Sequence, residues 1–168
     1  MAEGHVWAFE CHLRTIFVLR AILSLAVLST VRYSFGHMVK QVPIGAKGAA
    51  EERVQYEHTL TAHNHQLPPV FSTPDMIRLM ESAGFYALQP FCEPGEISVG
   101  TAINVEHRAP VGMNTVVRAT AEVEAIEGRF YKIRVAAFEG KREIGGGTIT
   151  RTIVRVNDFL KKHDIPKP

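Results

Sequence analysis

Residues 73–89 read TPDMIRLMESAGFYALQ. Met76, Met80, Ala83 and Ala87 recur at helical spacing, and Ile77, Gly84 and Leu88 form a second apolar row beside them. A helix that is apolar around most of its circumference is a buried one. The helix reads as Pro74–Gln89, and the local chemistry sets its start: Thr73 is a suitable N-cap, Pro74 a suitable first helical residue, and Asp75 complements the positive end of the helix dipole. Pro90, Pro94 and Gly95 end the pattern.

The segments around this helix read as strands. Arg53–Ala62 alternates Val54, Tyr56, His58 and Leu60. After the helix come Ser98–Arg108, Asn114–Ile126, Arg129–Phe138 and Glu143–Val156. The first of these places Val99, Thr101, Ile103, Val105 and His107 on one face. Glu127-Gly128 and Glu139-Gly140 are hairpin turns, and hairpins require antiparallel pairing. The expected class is α+β, an antiparallel sheet curled around one apolar helix. Such a sheet leaves edges uncovered, so a dimer is expected. The C-terminal DFLKKHDIPKP reads as a short polar tail that frays.

Composition narrows the function. A length of 168 residues fits one domain, since domains average roughly 150. With 46% hydrophobic and 21% charged residues the chain is neither disordered nor collagen-like. A net charge of +2 with no Lys/Arg run excludes a surface that tracks a phosphate backbone, so no nucleic-acid partner is expected. Cys11 and Cys92 are too few for a disulfide framework; Cys92 reads as a small core residue. Residues 15–31, TIFVLRAILSLAVLSTV, are interrupted by Arg20 and fall between the length of a signal-peptide apolar region and that of a membrane span. Residues 1–37 therefore read as an anchor, a signal-like segment or an extension ahead of Met38, and contact with a membrane is expected only through residues 15–31. Residues 38–52, with VPIGAKGAAEE, read as a linker, residues 53–160 as the folded domain and 161–168 as a tail.

Three polar residues stand out. Glu81 sits among apolar helix residues, either as an exposed flank residue or as a buried acid that orients or activates a partner. His107 ends an apolar strand face, either as a satisfied core histidine or as a general base at the rim of a cleft. Thr73 is an N-cap, or a hydroxyl beside helix N–H groups that receive an anion. A hydroxyl, a histidine and a carboxylate suit a nucleophile, a base and an orienter. Gly145-Gly146-Gly147 is not a phosphate loop, because no Lys-Ser/Thr or helix follows; a bulge or a close backbone approach accounts for it. His58, His63 and His65 lack ligand spacing, so no metal is expected.

These residues lie in longer stretches that resemble a known family. Val70-Phe71-Ser72-Thr73 with Leu79-Met80-Glu81, then Glu93-Pro94-Gly95-Glu96, Gly100-Thr101-Ala102-Ile103 and His107 are similar to fluoroacetyl-CoA thioesterase-like hotdog proteins. Glu127-Gly128-Arg129, Glu143-Ile144-Gly145, Gly147-Thr148 and Arg151 continue the match, which spans about residues 53 to 160. The resemblance implies a hotdog fold and hydrolysis of an acyl-CoA thioester without a cofactor. It implies a homodimer with sites at the subunit interface. It matches Thr73, Glu81 and His107 to catalytic residues, Gly100 to a glycine lining the acyl pocket and Arg151 to an arginine near the site. Leu67 stands where the fluoroacetate-specific member carries a lid phenylalanine, which points to another short acyl group. A cytoplasmic location follows from the substrate class. The competing readings are a non-catalytic acyl-CoA-binding hotdog and a membrane-tethered interaction protein.

Overall fold

A computed structural model describes residues 41–167. Residues 1–37, with the apolar run 15–31, lie outside the described residues. Five strands form one antiparallel sheet: β1 Lys47–Arg53, β2 Glu96–His107, β3 Val116–Glu127, β4 Phe130–Glu139 and β5 Arg142–Arg155, in the order β1-β3-β4-β5-β2. A short helix α1, Leu60–His63, precedes the central helix α2, Thr73–Leu88, and α3, Val156–Lys162, follows β5. The sheet curls around α2, which is the hotdog arrangement expected from the sequence.

The apolar character of α2 is what the sheet wraps. Met76, Leu79, Met80, Ala83, Ala87 and Leu88 are buried against Val117, Ala119, Val123, Ile133, Val135 and Ile149 of the inner sheet face. Each fully buried Met or Leu side chain contributes about 1.5–3 kcal/mol, whereas an exposed ion pair contributes about 0–1 kcal/mol. The helix is therefore held by its core face, and surface contacts such as Arg78–Glu52 only trim its position. The two hairpins are tight. Gly128 and Gly140, with φ of 61° and 57°, stand first in the two-residue turns β3–β4 and β4–β5, the position where a II′ turn requires glycine.

Four expectations are corrected. The first strand is not Arg53–Ala62 but Lys47–Arg53, inside the stretch read as a linker. Val54–Ala62 mimics a strand because Val54, Tyr56, His58 and Leu60 alternate, yet Tyr56–His58 is a 3-10 turn in which the Gln55 N–H donates to His58 Nδ1 at 3.1 Å. The true strand was hidden because its inward residues are Gly48, Ala50 and Glu52. A Cβ on Gly48 would lie well inside contact distance of Ala83 O and Ala87 N, so α2 rests directly on the β1 backbone.

The second correction concerns the helix start. The N-cap is Ser72, whose Oγ accepts from Asp75 N at 3.2 Å, and Thr73 is the first helical residue. The third concerns β2. A bulge between Gly100 and Ala102 shifts its register against β5. A single extra residue exchanges the two faces of a strand, so Ser98 and Gly100 face inward before the bulge and Ile103, Val105 and His107 after it. Val99 and Thr101 thus lie on the other face. The fourth is the chain end, where Val156–Lys162 is a helix with Phe159 and Leu160 half-buried, rather than a frayed tail.

The direct seating of α2 on β1 yields a test. Gly48→Val should destabilise the fold by about 1–3 kcal/mol or more through overpacking, read as a lower midpoint in urea unfolding. An unchanged midpoint would show that the helix is not seated there.

Candidate active site

The structure gathers the sequence-derived residues into two clusters. In the first, Thr73 Oγ1 lies 3.0 Å from His107 Nδ1. His107 Nε2 lies 3.1 Å from the carbonyl oxygen of Ala109. A carbonyl only accepts, so Nε2 carries the proton and Nδ1 of the neutral ring accepts from the Thr73 hydroxyl. This is a hydroxyl already bonded to a base whose ring is oriented from behind. Thr73 is available for this because Ser72, not Thr73, caps the helix. The end of α2 has little left for an anion: Pro74 has no N–H, Asp75 N–H is taken by Ser72 Oγ, and Met76 N–H by Ser72 O at 3.0 Å.

The second cluster is built around Arg151, which is 5% exposed. Its Nε donates to Ser98 Oγ at 3.1 Å, its Nη2 to Ser98 O at 2.8 Å, and its Nη1 to Glu81 O at 3.3 Å and to Glu81 Oε2. Glu81 is therefore a paired acid, not a solvated flank residue. Its other oxygen, Oε1, is buried and has no hydrogen-bond partner among the described residues. Gly100 lies against this carboxylate: a Cβ there would stand 2.6 Å from Glu81 Oε2. A cavity of about 280 Å3 is lined by Glu81, Arg151, Arg78, Ser82, Phe85 and Tyr86.

Within one chain the two clusters do not merge. Thr73 and Glu81 are eight residues apart on α2, or about 12 Å along a helix rising 1.5 Å per residue. The place behind His107, where a carboxylate orienter was expected, holds the Ala109 carbonyl. Leu67 lies 41% exposed in the loop between α1 and α2. A larger concavity of about 870 Å3 occupies the outer sheet face and involves none of these residues. Burial pushes the Cys92 thiol up, as does the charge of Glu96, so it is no ready thiolate nucleophile.

Sequence reasoning missed three contributors. Ser98, which holds Arg151, lay on what looked like the wrong face until the bulge is known. Ala109 acts through its backbone and leaves no side-chain signal. Asp75 was read only against the helix dipole, yet its carboxylate binds Ser72, His63 and Arg78. Burial raises that carboxyl, and these hydrogen bonds together outweigh it and leave it below the ordinary carboxylate value.

The Glu81–Arg151 pair should be costly to break from one side, because the partner stays behind as an unmatched charge. Arg151→Met should lose about 3 kcal/mol, the low end for a buried pair since Glu81 retains some access to water. Glu81→Gln combined with Arg151→Met should recover part of it in chemical denaturation. A single variant as stable as the parent would contradict the pairing.

Comparisons with known proteins identify the family. A family model described as fluoroacetyl-CoA-specific thioesterase matches residues 54–157. The fluoroacetyl-CoA thioesterase of Streptantibioticus cattleyicolor is 43% identical over 97 residues, 58% of this chain and 70% of that one. A solved structure of a fluoroacetyl-CoA thioesterase has a TM-score of 0.68 and 34% identity, covering 76% of this chain and 99% of its own. A thioesterase superfamily member from Thermus thermophilus has a TM-score of 0.69 and 28% identity, over 74% of this chain and 93% of its own. With more than half of its length matched by the family model, and with the same fold, the chain belongs to the fluoroacetyl-CoA-specific thioesterase family.

Proposed function

We propose that the protein hydrolyses a short acyl-CoA thioester to the free acid and CoA, at a site that Thr73 and His107 of one protomer complete with Glu81 of a second copy. The observation that carries the chemistry is the Thr73–His107 hydrogen bond at 3.0 Å, with His107 held from behind by Ala109 O. In this reading His107 Nδ1 takes the proton of the Thr73 hydroxyl as Oγ1 attacks the thioester carbonyl. The C–S bond breaks, CoA leaves with the proton returned to its sulfur, and a water activated by the same imidazole releases the acid from Thr73.

The exposed sheet edge supports the second copy. Among the described residues the edge strand β2 pairs only with β5. It leaves Gly100–Asn104 exposed, with Ile103 on the inner face at 50% and Ile97 at 37%. A long apolar edge is a template for pairing with another chain, and a two-fold dimer pairs the same edge with itself. Pairing there brings Gly100, and with it Glu81, to the interface. Gly100, Arg151 and Leu67 are the residues assigned to the substrate. Leu67 is smaller than the phenylalanine expected from the resemblance, which favours an acyl group other than fluoroacetyl. CoA esters are cytoplasmic metabolites, so the catalytic domain belongs on the cytoplasmic side. No helix among the described residues is long and apolar enough to cross a membrane.

Free-CoA release across an acyl-chain series tests the activity. His107→Ala should lower turnover by roughly 10²–10⁴-fold, the usual contribution of a general base. A folded His107→Ala protein with parental turnover would remove His107 from the mechanism, and absence of release by the parent would favour a binding protein. Ile103→Lys should convert a dimer into monomers in sedimentation and abolish hydrolysis with them. A fully active monomer would contradict the shared site.

A further inference from the structure

The end of α1 and the loop that follows it are held in an unusual way. Ala62–Pro69 are all exposed, so no buried side chain anchors them. Their hydrogen bonds are mostly internal: Asn64 N to Leu60 O at 2.9 Å, Leu67 N to Asn64 O at 2.9 Å, Gln66 N to Asn64 Oδ1 at 3.0 Å and Thr61 Oγ1 to Leu67 O at 2.7 Å. The base is closed by Leu60 N to Val70 O at 2.9 Å and by the Thr59–Phe71 bridge. A segment that is tied to itself and closed at its base moves as a unit, and few buried contacts make such a unit the first to open.

Among the described residues, the side-chain contact that fastens this flap to the domain is His63 Nε2 to Asp75 Oδ2, at 3.4 Å. Asp75 is itself well anchored. The Ser72 hydroxyl donates to it at 2.6 Å, Arg78 Nε at 3.4 Å, and Arg78 Nη2 reaches Glu52 of β1 at 2.5 and 2.7 Å. The flap also adjoins the reacting pair on both sides. Ser72, the partner of Asp75, precedes Thr73. Phe71 N donates to Val111 O at 2.7 Å, and the segment so paired includes Ala109, which orients His107.

We propose that His63 and Asp75 form a latch, with Asp75 a positioning residue that holds the Leu67-bearing flap beside the Thr73–His107 pair and so sets which acyl chains the site accepts. This rests on the thioesterase reading for its effect on acyl selectivity. The latch itself is a statement about the loop. An exposed pair of this kind shifts an open–closed equilibrium by about twofold to fivefold. The chemistry stays with Thr73 and His107, so loss of the latch falls on KM and on chain-length preference, not on kcat.

The test uses the full chain and two readouts. Amide hydrogen exchange of Asn64, Gln66 and Leu67 is measured without substrate for the parent, His63→Ala, Asp75→Asn, the double variant and His63→Gln. Steady-state hydrolysis of acetyl-, butyryl- and hexanoyl-CoA is measured for the same set. The expected result is exchange faster by about twofold to fivefold in either single variant, with no further gain in the double variant and recovery in His63→Gln, which keeps a side-chain N–H donor. KM for the preferred ester rises by a similar factor, and discrimination among the three esters narrows. Unchanged exchange in His63→Ala, or additive effects in the double variant, would overturn the latch. Faster exchange with an unchanged KM and ester profile would overturn its role in selectivity. Failure of the parent to release CoA from any ester would overturn the thioesterase reading, and the exchange measurement would still decide the latch.

Discussion

The seating of α2 on bare backbone is the constraint from which the rest of the structure follows. Gly48 lets Ala83 and Ala87 rest on β1. On β5, a Cβ at Gly145 would stand 2.7 Å from the Met76 sulfur, so the missing side chain there makes room for Met76. With the helix fixed at this height, its first residue reaches the end of β2 and its third turn reaches the middle of that strand. Thr73 then meets His107, and Glu81 meets Gly100 and Arg151. A helix held farther off by larger side chains would separate both sets. The same contact makes Gly145 part of the site's support, since it pairs with His107 across the β2–β5 ladder.

The architecture was legible where side chains carry it. Buried Met76 and Met80 announce the central helix, and Gly128 and Gly140 announce the hairpins that make the sheet antiparallel. The sequence was opaque where backbone carries the structure. β1 presents Gly48 and Ala50 inward, so its contact with α2 leaves no apolar periodicity, while Val54–Leu60 supplies a false one. The β2 bulge was equally silent: nothing in Gly100-Thr101-Ala102 marks the register shift that carries Ser98 and Gly100 to the inner face. For the site, residue types pointed to Thr73, Glu81 and His107, and the family resemblance pointed to the same residues. What residue types do not carry is distance. Eight positions along a helix separate Thr73 from Glu81, and the backbone of Ala109 takes the place behind His107.

That separation gives the two clusters different characters. Thr73 and His107 are joined by a neutral hydrogen bond at a partly open position, suited to passing a proton. Glu81 and Arg151 form an ion pair with Arg151 buried and Glu81 half-buried, and Ser98 satisfies the guanidinium from the other side. The exposed edge strand lies against this pair through Gly100, on the side where the second copy is proposed to dock.

Mixed dimers test this most directly. Thr73→Ala and Glu81→Gln chains, each inactive alone, are co-refolded in equal amounts and assayed for CoA release. If each site takes Thr73 from one protomer and Glu81 from the other, a heterodimer keeps one intact site, and the statistical mixture recovers about a quarter of parental activity. If each chain uses its own Thr73 and Glu81, every site in the mixture carries a defect, and activity stays at the level of the separate variants.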